Sequence, residues 1–235
     1  MKNSLLTIIP ARGGSKSIPR KNLALLGGRP LISYTLDICK SIDHIGPVLV
    51  STDNEDIADY CAENGFPTSY RRPHTLASDE AGMTETVIDG LKWYEDNHEY
   101  KIEDILVLQP TSPFRRKIDV VNAIEMYFSD SSSSLISVTT MREHPFECIE
   151  WSKEENSWSY LSEPTLGSKR RQDYKGNFGF IDGSIYIASK DFIKVHDNLI
   201  VKGETSIYLS SDRYAIDIDE PEDLALAEQI IKSIS

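Results

Sequence analysis

Apolar runs alternate with amphipathic stretches through roughly the first 140 residues of the chain. Residues 5–9, LLTII, predict a buried strand. From Pro30 onward Leu31, Tyr34, Ile38 and Ile42 recur at helical spacing, with the proline at a first-turn position where its missing N–H is not needed. Residues 47–51 predict the next strand, 54–64 a helix stopped by Gly65, and 84–97 a helix carrying Val87, Leu91 and Tyr94 on one face. A strand at 105–108, a helix at 118–128 and a strand at 135–138 follow. Strands apolar on both faces and separated by helices need cover on both sides. This predicts an α/β protein with a three-layer αβα arrangement around a mostly parallel sheet, of Rossmann-like, mononucleotide-binding type.

Between about residues 141 and 182, prolines, glycines and the polar stretch 153–157 break every period. The pattern resumes with strands at 185–188 and 214–218 and a last helix from Pro221, whose Leu224, Ala227, Ile231 and Ile234 share a face. The expectation is one domain over 1–235 with an irregular insertion at about 141–182. The serines at 131–134 read as a solvated loop tip.

Charge adds a contrast to this picture. The 235 residues carry 25 Lys+Arg against 37 Asp+Glu, a net charge of −12, which argues against nucleic acid as a partner. Yet the first 36 residues hold no Asp or Glu, while Lys2, Arg12, Lys16, Arg20, Lys21 and Arg29 make them a basic island. The apolar run before Pro10 and Arg12 is too short for a signal peptide or a membrane span, so a cytoplasmic protein is expected. Cys39, Cys61 and Cys148 are odd in number and far apart, and the five histidines are scattered. Neither a disulfide framework nor a Cys/His metal site is suggested.

Two stretches carry the chemistry. Residues 9–22, IPARGGSKSIPRKN, directly follow the first strand, where ligands bind in open parallel sheets. Gly13 and Gly14 let backbone approach a ligand, Ser15 offers a hydroxyl, and Arg12, Lys16, Arg20 and Lys21 supply charge for a polyanion such as a triphosphate. Neither the GxxxxGK[ST] nor the GxGxxG phosphate motif is present. The second stretch, YAIDIDEP at 214–221, would set Asp217 and Asp219 on one face of a strand, about 7 Å apart. Two such carboxylates suit Mg²⁺, which takes one or two protein carboxylates plus phosphates and water. Helix capping by Asp219 and Glu220 is the plainer alternative, but it leaves Asp217 without a purpose.

With these stretches stand RRPHTLASD at 71–79, LQPTSPFR at 108–115, RRQ at 170–172, DGSIYI at 182–187 and DIDEPEDL at 217–224. In this order, and over nearly the whole chain, the sequence resembles the bacterial N-acylneuraminate cytidylyltransferases, or CMP-sialic acid synthetases. The resemblance implies a nucleotide-diphospho-sugar transferase-like fold and a homodimer whose irregular segment reaches the partner's active site. It implies that CTP and a nine-carbon 2-keto sugar acid give a CMP-sugar for a bacterial surface glycan (lipopolysaccharide or capsule) and pyrophosphate, with Mg²⁺.

Carried over, it assigns Arg12, Gly13, Ser15, Lys16 and Lys21 to the triphosphate and Asn22 and Arg72 to the rest of the nucleotide, Arg72 toward cytosine. Gln109, Tyr186 and Arg171, the last from the neighbouring subunit, would meet the sugar, and Asp217 and Asp219 would hold Mg²⁺. Arg12, Lys21, Asp217 and Asp219 are thereby the expected catalytic set. Tyr186 could equally be core, and Arg170 with Arg171 a solvated pair. Three positions depart from the family pattern: Glu147 where a Lys is frequent, Asp182 where Asn is frequent, and Met83 where a serine is frequent. Two of them put carboxylates on the sugar side. Close alternatives are legionaminic or pseudaminic acid as the sugar; a 3-deoxy-manno-octulosonate enzyme or a non-catalytic nucleotide-binding protein lies further off.

Overall fold

The computed structural model describes residues 4–43, 45–141, 143–154, 156–162, 177–211 and 214–234. Among them lie β1 (Leu5–Pro10), β2 (Leu25–Leu26), β3 (Arg29–Pro30), α1 (Leu31–Ser41), β4 (Val48–Ser51), α2 (Glu55–Glu63), α3 (Met83–Asn97), β5 (Asp104–Val107) and α4 (Lys117–Ser129). They are followed by β6 (Ser134–Thr140), β7 (Ile149–Ser152), β8 (Ser157–Tyr160), β9 (Gly179–Ser189), α5 (Lys190–His196), β10 (Ser206–Leu209) and α6 (Pro221–Ile234). Six strands form the main sheet in the order β10-β6-β9-β5-β1-β4. β1 runs parallel to β4 and β5, and β10 parallel to β6, while β9 is antiparallel to both of its neighbours.

Both faces of the sheet are covered, as the doubly apolar strands require. On one side Ile9, Leu106, Leu135 and Ile187 pack with Ile32 and Leu36 of α1, Ile57 and Cys61 of α2, and Val120 and Ala123 of α4. On the other, Leu6, Ile8, Ile105 and Val107 pack with Val87 and Leu91 of α3 and Phe192 and Ile193 of α5. A smaller cluster seats Ala227 of α6 on Leu26, Leu31 and Ile218, with Leu224 and Ile231 at its margin, whereas Ile234 is exposed. Cys39 and Cys61 are buried free thiols in the first core, their pKa values pushed up to about 12 by desolvation, so they pack as small apolar groups.

Several expectations change. Pro30 is not in the first turn of α1 but just before it, with an extended backbone (φ −55°, ψ 138°) that closes β3. Residues 214–218 are not a strand: they run irregularly, and the Ile218 N–H bonds the Thr111 carbonyl at 2.9 Å outside any ladder. The strand paired with β6 is β10 instead, whose Ile207 and Leu209 face solvent and whose Tyr208 leans on α4. β9 extends back to Gly179, so the described part of the insertion consists of a 3₁₀ turn at Pro145–Glu147 and the β7–β8 hairpin.

Candidate active site

The parallel strands β1, β4 and β5 end on the same edge of the sheet, and the segments leaving them, from Ala11, Thr52 and Leu108, build the site. They surround a cleft of about 200 Å³ walled by Arg12, Gly14, Lys21, Asn22, Arg72, Asp79, Met83, Gln109, Thr111 and Asp219, among others. Residues of the basic island, RRPHTLASD, LQPTSP and the DIDEP stretch thus meet, although up to two hundred positions separate them in the chain.

The basic loop has an internal skeleton. The Gly13 N–H donates to Asp53 Oδ1 at 2.8 Å, and Asn22 Nδ2 donates to the Arg12 carbonyl at 2.9 Å. A Cβ on Gly13 would lie 2.6 Å from the Asn54 Cβ, so Asn54 behind the loop by itself requires glycine there. At Gly14, which lines the cleft, a Cβ would meet nothing within 4 Å. Asn54 itself accepts the Ile57 N–H at 3.1 Å and caps α2. Gly13→Ala should therefore displace the cap and cost about 1–2 kcal/mol of stability, read as a lower urea midpoint.

The expected nucleotide residues fall in two groups. Arg12, Lys21, Asn22 and Arg72 line the cleft. Ser15 is half-exposed, its hydroxyl accepting the Ile18 N–H at 3.4 Å, and Lys16 extends into solvent toward Asp79. Arg72 is buried; its Nε donates to Ser51 Oγ at 3.0 Å and Nη2 to the Ser51 carbonyl at 2.6 Å, which fixes the guanidinium at the end of β4. Desolvation lowers its pKa, an effect opposed by Tyr70 and Asp53.

Opposite the loop stand the two aspartates. Asp219 Oδ1 is 2.8 Å from Lys21 Nζ. The Lys21 charge also acts on Asp217, where it opposes the rise in that carboxyl's pKa. The N–H groups of Asp219 and Glu220 are taken by Asp223 Oδ2 at 3.1 and 2.8 Å. Asp223 thus supplies the capping considered for Asp219, and Asp219 is left to the cleft. Asp217 Oδ1 is buried and has no hydrogen-bond partner among the described residues. Burial raises the Asp217 pKa above the ordinary carboxylate range, with Asp219 adding to the rise and Thr111 and Lys21 opposing it. An orphaned, desolvated carboxylate oxygen beside a second carboxylate fits a hard cation completed by phosphate oxygens and water. Among the described residues no group of three or more His, Cys, Asp or Glu is arranged for a metal, so the protein offers a partial set only.

On the remaining wall, Gln109 leaves β5 with its carbonyl held by the buried Arg115, which also donates to Thr35 Oγ1 at 3.1 Å and the Ser184 carbonyl at 2.8 Å. Tyr186, paired with Val107, is half-buried; desolvation, with Asp217 and Asp182, pushes its phenol up to about 12, opposed by a hydrogen bond with Gln109. The register of β6 against β9 shifts between Ile136/Tyr186 and Val138/Ile181, and the bulge turns at Gly183 (φ 70°). A Cβ there would come within 3.3 Å of Asp217 Oδ2.

Asp182, expected as a carboxylate on the sugar side, is instead buried, accepting the Ser137 hydroxyl and, at 3.0 Å, the Ser184 N–H. Met83 lines the cleft and Glu147 does not. Arg170 and Arg171 lie outside the described residues. Asp53, Asp79 and Arg115 were not singled out from the sequence; for Asp53 the place just beyond a strand end on the ligand edge was an available signal.

A sequence profile described as cytidylyltransferase matches residues 6–230. The chain belongs to the cytidylyltransferase family. This cytidylyltransferase is 32% identical to the CMP-N,N'-diacetyllegionaminic acid synthase of Legionella pneumophila, over 97% of its own length and 96% of the relative's. It is 31% identical to the N-acylneuraminate cytidylyltransferase of Streptococcus agalactiae over 93% of its length, but spans only 51% of that longer protein. Its fold is similar to that of a CMP:2-keto-3-deoxy-manno-octonic acid synthetase solved with CTP, with a TM-score of 0.68, 17% identity, and coverage of 99% of this chain and 100% of that one.

Proposed function

We propose that the protein transfers the cytidylyl group of CTP to a nine-carbon nonulosonic acid, an N-acylneuraminate or a close analogue, and releases pyrophosphate. The observation that carries this reading is one cleft lined together by Arg12, Lys21 and Asp219, with Arg72 fixed on one wall and Gln109 on another, and with the buried Asp217 carboxylate under the influence of the Lys21 charge. Legionaminate is the favoured analogue, because a relative matched along nearly its whole length is a CMP-N,N'-diacetyllegionaminic acid synthase.

The anomeric hydroxyl of the sugar attacks the α-phosphorus. A new P–O bond forms, the bond to the β-phosphate bridging oxygen breaks, and the hydroxyl proton passes to solvent or buffer. Arg12, Ser15, Lys16 and Lys21 hold the triphosphate chain, Asn22 and Arg72 orient the nucleoside, and Gln109 and Tyr186 orient the sugar, so that the chain contributes positioning and charge neutralisation. Asp217 and Asp219 would hold Mg²⁺, which would supply positive charge to offset that on the phosphates. The β7–β8 hairpin, with Trp151, Trp158, Tyr160 and Ile149 exposed, supports a homodimer. No described helix is long and apolar enough to cross a membrane. A cytoplasmic enzyme feeding a bacterial surface glycan is the setting we infer.

The test is pyrophosphate release with CTP and Mg²⁺ across a panel of nine-carbon acids, with UTP and ATP as controls. Turnover is expected for at least one sialic, legionaminic or pseudaminic acid, with CTP preferred. Tight CTP binding without turnover on any of them would leave a nucleotide-binding protein in place of an enzyme.

A further inference from the structure

Arg12 and Lys16 are both held by one carboxylate that belongs to neither the basic loop nor the Asp217–Asp219 pair. Asp79 Oδ1 lies 2.7 Å from Arg12 Nη2, and its Oδ2 lies 3.1 Å from Lys16 Nζ. One oxygen serves each cation, as two oxygens of a phosphate would. Arg12 is tied to the same segment a second time, Nη1 donating to the Ala77 carbonyl at 3.4 Å. This segment follows the 3₁₀ turn at His74–Leu76 and leads into α3, and its Leu76, Ser78 and Ala81 also wall the cleft. Lys16 foremost, with Arg12, holds the Asp79 carboxyl below the ordinary carboxylate range, so it is ionised at neutral pH. The carboxylate takes donors of Arg12 and Lys16 that a polyphosphate would otherwise use, and its charge repels the phosphates.

We propose that Asp79 competes with phosphate for Arg12 and Lys16, and so sets how much negative charge a ligand must bring to occupy the seat. The proposal rests on the cytidylyltransferase reading and deepens it. CTP and pyrophosphate carry enough charge to displace the carboxylate, whereas a nucleoside monophosphate does not. After transfer the nucleotide product keeps a single phosphate, and pyrophosphate is the species left contending with Asp79. The returning carboxylate therefore favours pyrophosphate release, and the seat resists occupation by spent nucleotide.

The experiment is calorimetric titration of the full chain with pyrophosphate, CTP and CMP at low ionic strength without divalent cations. Wild type is compared with Asp79→Asn, Asp79→Ser and Asp79→Glu. The two neutral variants are expected to bind pyrophosphate about three- to tenfold more tightly than wild type, the scale of one or two partly exposed ion pairs, with the gain shrinking as salt is added. Asp79→Glu should stay near wild type. Unchanged or weaker pyrophosphate binding in both neutral variants overturns the proposal, weaker binding meaning that Asp79 assists the ligand. Should neither wild type nor any variant bind CTP or pyrophosphate, the phosphate seat itself falls, and the reading beneath the proposal with it.

Discussion

Replacing Lys21 with Ala is expected to lower kcat about 10²- to 10³-fold, the loss typical when one fixed charge is removed from a transition state that accumulates negative charge. The expectation follows from where the ammonium sits. Lys21 opens the 3₁₀ turn after the basic loop, where Arg20 takes a left-handed backbone (φ 53°) that swings the chain toward the cleft. Its side chain is only 16% exposed, its Nζ pairs with Asp219, and its charge also acts on Asp217. Most of the effect should fall on kcat, because Arg12 and Lys16 remain to bind the triphosphate in the ground state. Stability should change little: the partner left behind, Asp219, is 66% exposed and can be solvated. Lys21→Arg should recover part of the rate, since charge returns without the compact ammonium geometry. Steady-state pyrophosphate release and a thermal melt of the same samples measure both quantities, and a kcat within threefold of wild type would remove Lys21 from the catalytic set.

The parts of this fold that could be read from sequence are those whose signal is local. The run LLTII announces β1 because it is buried on both faces, and the glycines and cations behind it announce a cleft-lining loop, since Arg12, Gly14 and Lys21 all reach the cleft. What escaped has nonlocal causes. β10 was hidden because it is an edge strand whose apolar Ile207 and Leu209 face solvent, so its pattern does not report burial. Residues 214–218 imitate a strand, alternating apolar and acidic side chains, yet only tertiary contacts such as Ile218 to Thr111 decide their path. The alternation nevertheless marks Asp217 and Asp219, although no strand sets them on a common face. The ties of Asp79 to Arg12 and of Arg115 to Ser184 span more than sixty positions and leave no local signal, and the burial of Asp182 against Ser137 follows from the bulge at Gly183.

Asp217→Asn should separate activity from stability, in opposite directions. The ionised carboxylate is desolvated, and the folded-state pKa lies above its unfolded value. A carboxyl shifted this way makes the native chain bind more protons than the unfolded one, so its contribution to stability falls as pH rises through the interval between the two pKa values. Above that interval the full cost of holding a buried charge persists, and the orphaned Oδ1 adds an unsatisfied acceptor. Asparagine carries no charge and nearly the same shape. The variant should therefore melt at or above the wild-type temperature at pH 7 and show no such advantage near pH 3, where the wild-type carboxyl is protonated. Its Mg²⁺-dependent turnover should nevertheless fall by about 10²-fold or more, because a neutral amide is a poor ligand for a hard cation. That pair of outcomes would mark the burial of Asp217 as a stability cost retained for function, the trade-off expected of a metal-holding carboxylate and not of a structural one. A variant that loses stability at pH 7 while keeping its turnover would assign Asp217 to the scaffold instead.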